Sequence, residues 1–206
     1  MRKTFRYSVA MLLASLSVAA FAQATKPEAL PKNVQEIIVG RCSLCHGMEG
    51  ESASAVYPRL AAQHPDYLQK QLKDFRDGRR KSDTMSEMAK DLQDEDIAVL
   101  ATYFSGKKAG GRQSGDVDLA GVGKYIFTRG NNFSGVAACA SCHGPKGFGT
   151  EQLPRLAGQH PAYIETQLKE FNKRARTNDN SIMHTIASKL TELETKAVSV
   201  YIGGLQ

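Results

Sequence analysis

The chain has 206 residues, 41% of them hydrophobic and 23% charged, a balance that excludes an intrinsically disordered protein. Its length admits one domain or two small ones. The formal charge is +6, but no basic run is interleaved with aromatic residues, which excludes a nucleic-acid surface.

Residues 1–24 read as a signal peptide. Arg2, Lys3 and Arg6 form a basic start, Tyr7 to Ala22 carry no charge, and Ala22 and Ala24 supply the small residues of a cleavage site. Thr25 is then the first mature residue, with cleavage after Ala22 as the alternative. The apolar stretch is short for a membrane span, which needs about 20 residues. Losing residues 1–24 removes three basic residues and no acidic one, leaving a net charge of +3. No later segment is apolar enough to cross a bilayer, so the expectation is a soluble, exported protein with at most peripheral membrane contact.

From here the chain repeats itself. Arg41-Cys42-Ser43-Leu44-Cys45-His46-Gly47 returns as Ala138-Cys139-Ala140-Ser141-Cys142-His143-Gly144, 97 positions later. Pro58-Arg59-Leu60-Ala61 and Gln63-His64-Pro65 return as Pro154-Arg155-Leu156-Ala157 and Gln159-His160-Pro161, and Met85, Leu92 and Tyr103 pair with Met183, Leu190 and Tyr201. Two copies of one module follow: residues 25–106 and 116–206, joined by a polar, glycine-rich linker at 107–115.

Within each copy the pattern is helical. Asn33 to Arg41 and Asp118 to Phe127 are short amphipathic segments before the cysteines. Pro65 to Phe75 and Pro161 to Phe171 each begin with a proline, favourable at the first helical position, and space their apolar residues for a helix. Thr191 and Glu194 form a capping box for a last helix ending at Ile202, whereas Gln93 is a poorer cap at the matching place. Nothing alternates convincingly as a strand, so both modules are expected to be all-α.

The chemistry lies in the two C-x-x-C-H sequences. On one helical turn, cysteines at i and i+3 and a histidine at i+4 project to one side. That spacing lets two thiols bond a haem covalently while the neighbouring imidazole coordinates its iron. A zinc site would gather all four cysteines or recruit distant histidines, a thioredoxin-like pair expects a βαβ setting, and a disulfide explains neither histidine. Cys42, Cys45, Cys139 and Cys142 are therefore the candidate attachment residues, with His46 and His143 as iron ligands.

These motifs together resemble the dihaem class I cytochromes c, and most closely the cytochrome c4 family. The resemblance spans nearly all of the mature chain. It implies two tandem monohaem class I cytochrome c domains with two covalently bound haem c groups, carrying electrons in the periplasm from a quinol-oxidising complex to a terminal oxidase. It also implies that Pro58 and Pro154, which follow His46 and His143 by 12 and 11 residues, offer their carbonyls to the histidine Nδ1–H, a bond that fixes the ring of a metal ligand.

A methionine as the second axial ligand suits a high-potential carrier. Met183 is the sole methionine of the second module. In the first, Met85 lies 39 residues after His46, close to the 40 that separate Met183 from His143, whereas Met88 aligns with Ile186 and Met48 stands too near His46. Met85 and Met183 are the expected ligands. His64 and His160 recur and are the alternative ligands, with hydrogen bonding at a helix start as the plainer role. Arg59 and Arg155 follow the key prolines and are candidates for pairing with haem propionates.

Residues 25–106 carry a net charge of −2, the linker +3 and residues 116–206 +2, an asymmetry that suits an electron donor at one end and an acceptor at the other. An enzymatic role is not expected, because both modules retain a well-placed methionine. The alternatives are the electron-accepting dihaem subunit of a dehydrogenase, such as a flavocytochrome sulfide dehydrogenase, and a dihaem peroxidase.

Overall fold

The computed structural model describes residues 29–111 and 115–206; the signal peptide and Thr25 lie outside the described residues. The described chain is helical, and its sole extended pairing is an isolated antiparallel bridge between Asn131 and Val136.

In the first module, α1 (Lys32–Ile37) widens into a π-helical turn (Ile38–Cys42) that passes without a break into α2 (Ser43–His46). The first C-x-x-C-H thus sits at the end of one continuous helix. Helices α3 (Pro65–Arg76), α4 (Asp83–Ala89) and α5 (Asp94–Ser105) follow. Val34 and Ile38 pack with Leu68, Phe75, Leu92, Ile97, Leu100 and Phe104, so the apolar faces of α1, α3 and α5 bury one another. Burial of this kind stabilises by about 25 cal/mol per Å² of apolar surface removed from water.

The second module repeats the plan with α6 (Val117–Arg129), α7 (Ala140–His143), α8 (Pro161–Asn172), α9 (Ile182–Ala187) and α10 (Glu192–Gly203). Ile126 and Phe127 of α6 meet Val198 and Ile202 of α10. Here the lead helix stops at Gly130, whose φ of +72° turns the chain into the Asn131–Val136 loop before the second C-x-x-C-H. Glu194 ties these parts together. It accepts from Thr191 N at the start of α10 (2.9 Å) and from Asn131 Nδ2 in the loop (2.7 Å).

The helix starts at Pro65 and Pro161 and the Thr191–Glu194 capping box stand where the sequence predicts them. Gln93 is supported at its own place by Asp96, whose Oδ2 accepts from Gln93 N at 3.3 Å. The last helix runs one residue past Ile202, to Gly203.

The modules face each other across a pseudo-two-fold axis built from polar groups. Arg80 reaches over to Gln167 Oε1 (2.6 Å) and Tyr163 OH (3.1 Å), and Arg176 makes the mirror-image bonds to Gln71 Oε1 (3.2 Å) and Tyr67 OH (3.0 Å). Each arginine also bonds the glutamine of its own module, at 2.7 Å in both cases. Both arginines are 7% exposed. Buried cations are tolerated only when their donors are satisfied, and here two glutamine oxygens and two phenols do so. The contact is self-complementary, in the manner of a two-fold dimer interface.

Candidate functional site

Each C-x-x-C-H forms one helical turn ended by a glycine of positive φ, Gly47 at +76° and Gly144 at +78°. The left-handed conformation, which glycine adopts without steric cost, releases the chain into the loop leading back to the proline. His46 and His143 are buried, at 6% and 7% exposure. His46 Nδ1–H donates to Pro58 O at 2.8 Å, and His143 Nδ1–H donates to Pro154 O at 3.2 Å.

Those bonds set what the rings can do. With the proton held on Nδ1, the Nε2 lone pair is the one available to a metal. Burial depresses the pKa of both histidines and outweighs the opposing pull of the proline carbonyls, so each ring is a neutral donor at pH 7. Cys42 and Cys139 are pushed up to about 11, chiefly by burial. A thiol used for thiolate redox exchange is shifted in the opposite direction. All four cysteines are free thiols, the two pairs belong to different modules, and among the described residues no group of three His, Cys, Asp or Glu side chains is arranged to hold a metal ion.

Met85 and Met183 lie on α4 and α9, both partly exposed, with Met85 against the first core. Met88 is partly exposed as well. His184, beside Met183, is held within its module, donating from Nδ1 to Phe171 O at 2.9 Å and accepting from Arg174 Nε at 3.2 Å. Tyr103 donates to Met48 O at 2.9 Å, and the Tyr201 ring packs against Phe127.

The two arginines after the prolines differ. Arg59 Nε donates to Glu51 O at 3.1 Å, and its Nη1 donates to Gly111 O at 2.8 Å and Gly158 O at 2.6 Å. Arg155 lies over the Phe148 ring, 4.4 Å from its centroid, and its buried Nε has no hydrogen-bond partner. An orphaned, buried guanidinium N–H is an unusual cost, and a carboxylate of a bound group is the acceptor that would remove it. The donor set therefore fits haem c in each module: two free thiols, an oriented neutral imidazole and, in the second module, an arginine with a donor to spare.

His64 and His160 cap α3 and α8 with their backbone and reach into the other module with their rings. His64 Nε2–H donates to Phe148 O at 2.7 Å, and His160 Nε2–H donates to Ser52 O at 2.8 Å, both across the interface. The adjacent Gln63 and Gln159 cross it too, a role sequence reasoning did not assign. Their recurrence in both copies is the signal that was there to be used, because a surface repeated in two copies is a candidate for self-complementary contact.

Comparison with known proteins agrees with this construction. The cytochrome c family model matches residues 127–206, and the model for cytochrome C oxidase, cbb3-type, subunit III, matches residues 29–104. Cytochrome c4 of Pseudomonas aeruginosa is 39% identical over 80% of this chain and 83% of its own length. A thiosulfate dehydrogenase electron acceptor of Thiomonas intermedia is 39% identical over 78% of this chain and 76% of its own. The crystal structure of reduced recombinant cytochrome c4 from Pseudomonas stutzeri, 38% identical, superposes with a TM-score of 0.79 over 84% of this chain and 96% of that one. Two all-α cytochrome c domains, two C-x-x-C-H turns and this identity over four-fifths of the chain place it in the cytochrome c4 family, as an electron carrier with two covalently bound haem c groups.

Proposed function

We propose that the protein carries electrons through the periplasm between membrane respiratory complexes, from a quinol-oxidising complex to a terminal oxidase, and catalyses no reaction of its own. Export through the signal peptide at 1–24 and at most peripheral membrane contact belong to this reading. The domains are residues 25–106 and 116–206, with 107–115 between them. Each haem supplies one-electron Fe(III)/Fe(II) chemistry.

The residues divide the work as follows. Cys42 and Cys45 would anchor the first haem, and Cys139 and Cys142 the second. His46 with Met85 and His143 with Met183 would coordinate the two irons. Pro58 and Pro154 hold the histidine rings by their carbonyls. Arg155 offers its spare Nε to a propionate; Arg59, already bonded to three carbonyls, would contribute less there. The observation that carries the reading is the recurrence of one arrangement, a buried histidine with its Nδ1 proton on a proline carbonyl, in two modules that share a polar interface.

An optical redox titration of the haem-loaded protein tests it. Two low-spin haems at high potential, both showing the methionine-to-iron charge-transfer band, support the carrier reading. A high-spin or low-potential haem overturns the ligand set and favours an enzyme such as a peroxidase.

A second reading, an electron-accepting partner of a dehydrogenase, is favoured by the resemblance to the Thiomonas electron acceptor. That relative's name points to thiosulfate as the electron source, where sequence reasoning offered sulfide. Stable co-purification with a thiosulfate-oxidising dehydrogenase, and reduction by thiosulfate only in its presence, would support it.

A further inference from the structure

Gln159 of the second module holds both backbone polar groups of Arg59 in the first. Its Oε1 accepts from Arg59 N at 2.8 Å, and its Nε2 donates to Arg59 O at 2.9 Å. Gln63 does the same in reverse, accepting from Arg155 N at 2.7 Å and donating to Arg155 O at 3.0 Å. Both glutamines are buried, at 7% exposure. The other end of each loop is held by the neighbouring histidine, His160 on Ser52 O and His64 on Phe148 O. Ser52 is buried with a φ of +45°, a conformation that costs energy in a residue with a side chain.

One of these bonds meets the His46 bond on a single peptide group. Arg59 N–H and Pro58 C=O belong to the same amide. The Gln159 oxygen therefore polarises the unit whose own oxygen accepts from His46 Nδ1–H, and chained hydrogen bonds of this kind strengthen one another. The same chain runs from Gln63 through the Pro154–Arg155 amide to His143.

We infer that Gln63 with His64, and Gln159 with His160, are positioning residues in trans: each pair fixes and polarises the carbonyl that orients the other module's axial histidine. The inference rests on His46 and His143 being axial ligands. A stronger Nδ1–H bond makes the imidazole a more electron-rich ligand and favours ferric iron. Removing the glutamine contact should raise the potential of the haem in the opposite module and leave its own unchanged.

The test uses the full-length, haem-loaded protein with Gln159→Met and Gln63→Met, which keep side-chain length and lose both hydrogen bonds to the other module, together with the bond from the next residue's backbone N–H. In the ferrous protein, the Nδ1–H proton resonance of His46 should move upfield in Gln159→Met while that of His143 stays, and the converse should hold for Gln63→Met. At a fixed solution potential, the ferrous-to-ferric ratio of the opposite haem should rise about threefold, the scale of weakening one hydrogen bond. Gln159→Glu keeps an acceptor for Arg59 N–H and should restore the His46 resonance. Should Gln159→Met fail to load haem, His160→Leu removes the Ser52 end and keeps the Gln159 bonds, and should produce a smaller shift at His46. Shifts in the mutated module, equal shifts in both, or none would overturn the inference. Failure of the ligand assignment is separately visible, since His46 and His143 in the parent would then lack the ring-current shift of haem-bound imidazoles.

Discussion

Met85 and Met88 stand one helical turn apart on α4, and both are partly exposed, so burial alone does not separate a ligand from a packing residue. The second module does. Met183 has its counterpart in Met85, and Ile186, packed against the second core, stands where Met88 would. Leucine is close to methionine in volume, and such exchanges cost less than about 1.5 kcal/mol, so Met85→Leu and Met88→Leu should both fold. Met85→Leu is expected to remove the methionine-to-iron charge-transfer band of one haem, and Met88→Leu to leave both bands intact. The two absorption spectra check this, and loss of the band in Met88→Leu would reverse the assignment. The C-x-x-C-H turns were legible because their geometry is set within one helical turn, and the histidine–proline bonds stand where the family resemblance implied them. The different engagement of Arg59 and Arg155 was not legible, since it depends on which carbonyls approach from the other module and the linker.

Among the elements, the crossing of α6 and α10 turns on a glycine. A Cβ at Gly123 would stand 2.0 Å from Ala197 O, a backbone atom with nowhere to yield. Two positions earlier on the same helix, a Cβ at Gly121 would meet nothing within 4 Å. Gly123→Ala should therefore destabilise the second module by about 1–3 kcal/mol, the usual cost of overpacking. Gly121→Ala should stabilise by up to about 1 kcal/mol through helix propensity. Denaturant melts of both variants read the difference directly, and equal effects would mean that the helices do not cross at Gly123. The sequence shows two glycines in one amphipathic stretch and does not say which one faces a neighbour. It shows the helix starts well, because proline and the Thr191–Glu194 box act locally. The π-turn before Cys42 leaves no residue signature, since its wider hydrogen bonding is a property of the backbone.

At the scale of the whole molecule, the repeat was legible and its purpose was only half so. The Pro-Arg-Leu-Ala blocks read as parts of each haem pocket and the Gln-His-Pro blocks as helix starts, yet Gln63, His64, Gln159 and His160 bond partners 84 to 108 residues away. Contacts of that range follow from how the modules dock, which no local pattern encodes. One carboxylate at this interface makes the fold sensitive to acid. Asp74 is buried there, where it takes Asn178 Nδ2 from the other module at 2.6 Å, together with Lys70 and Arg79 from its own. Burial alone would raise its pKa, but the bonds to Lys70, Arg79 and Asn178 outweigh it and hold the carboxyl below the ordinary aspartate range. In the unfolded chain all three partners are lost and the aspartate regains its ordinary value, about 3.9. The unfolded form therefore takes up a proton first as pH falls. The stabilisation is fully present above the ordinary value and is lost as pH drops towards the depressed one. The denaturant midpoint of the parent protein should fall across that window. In Asp74→Asn it should already be lower at neutral pH and should change less with acid; a pH profile parallel to the parent's would show that Asp74 does not carry this dependence.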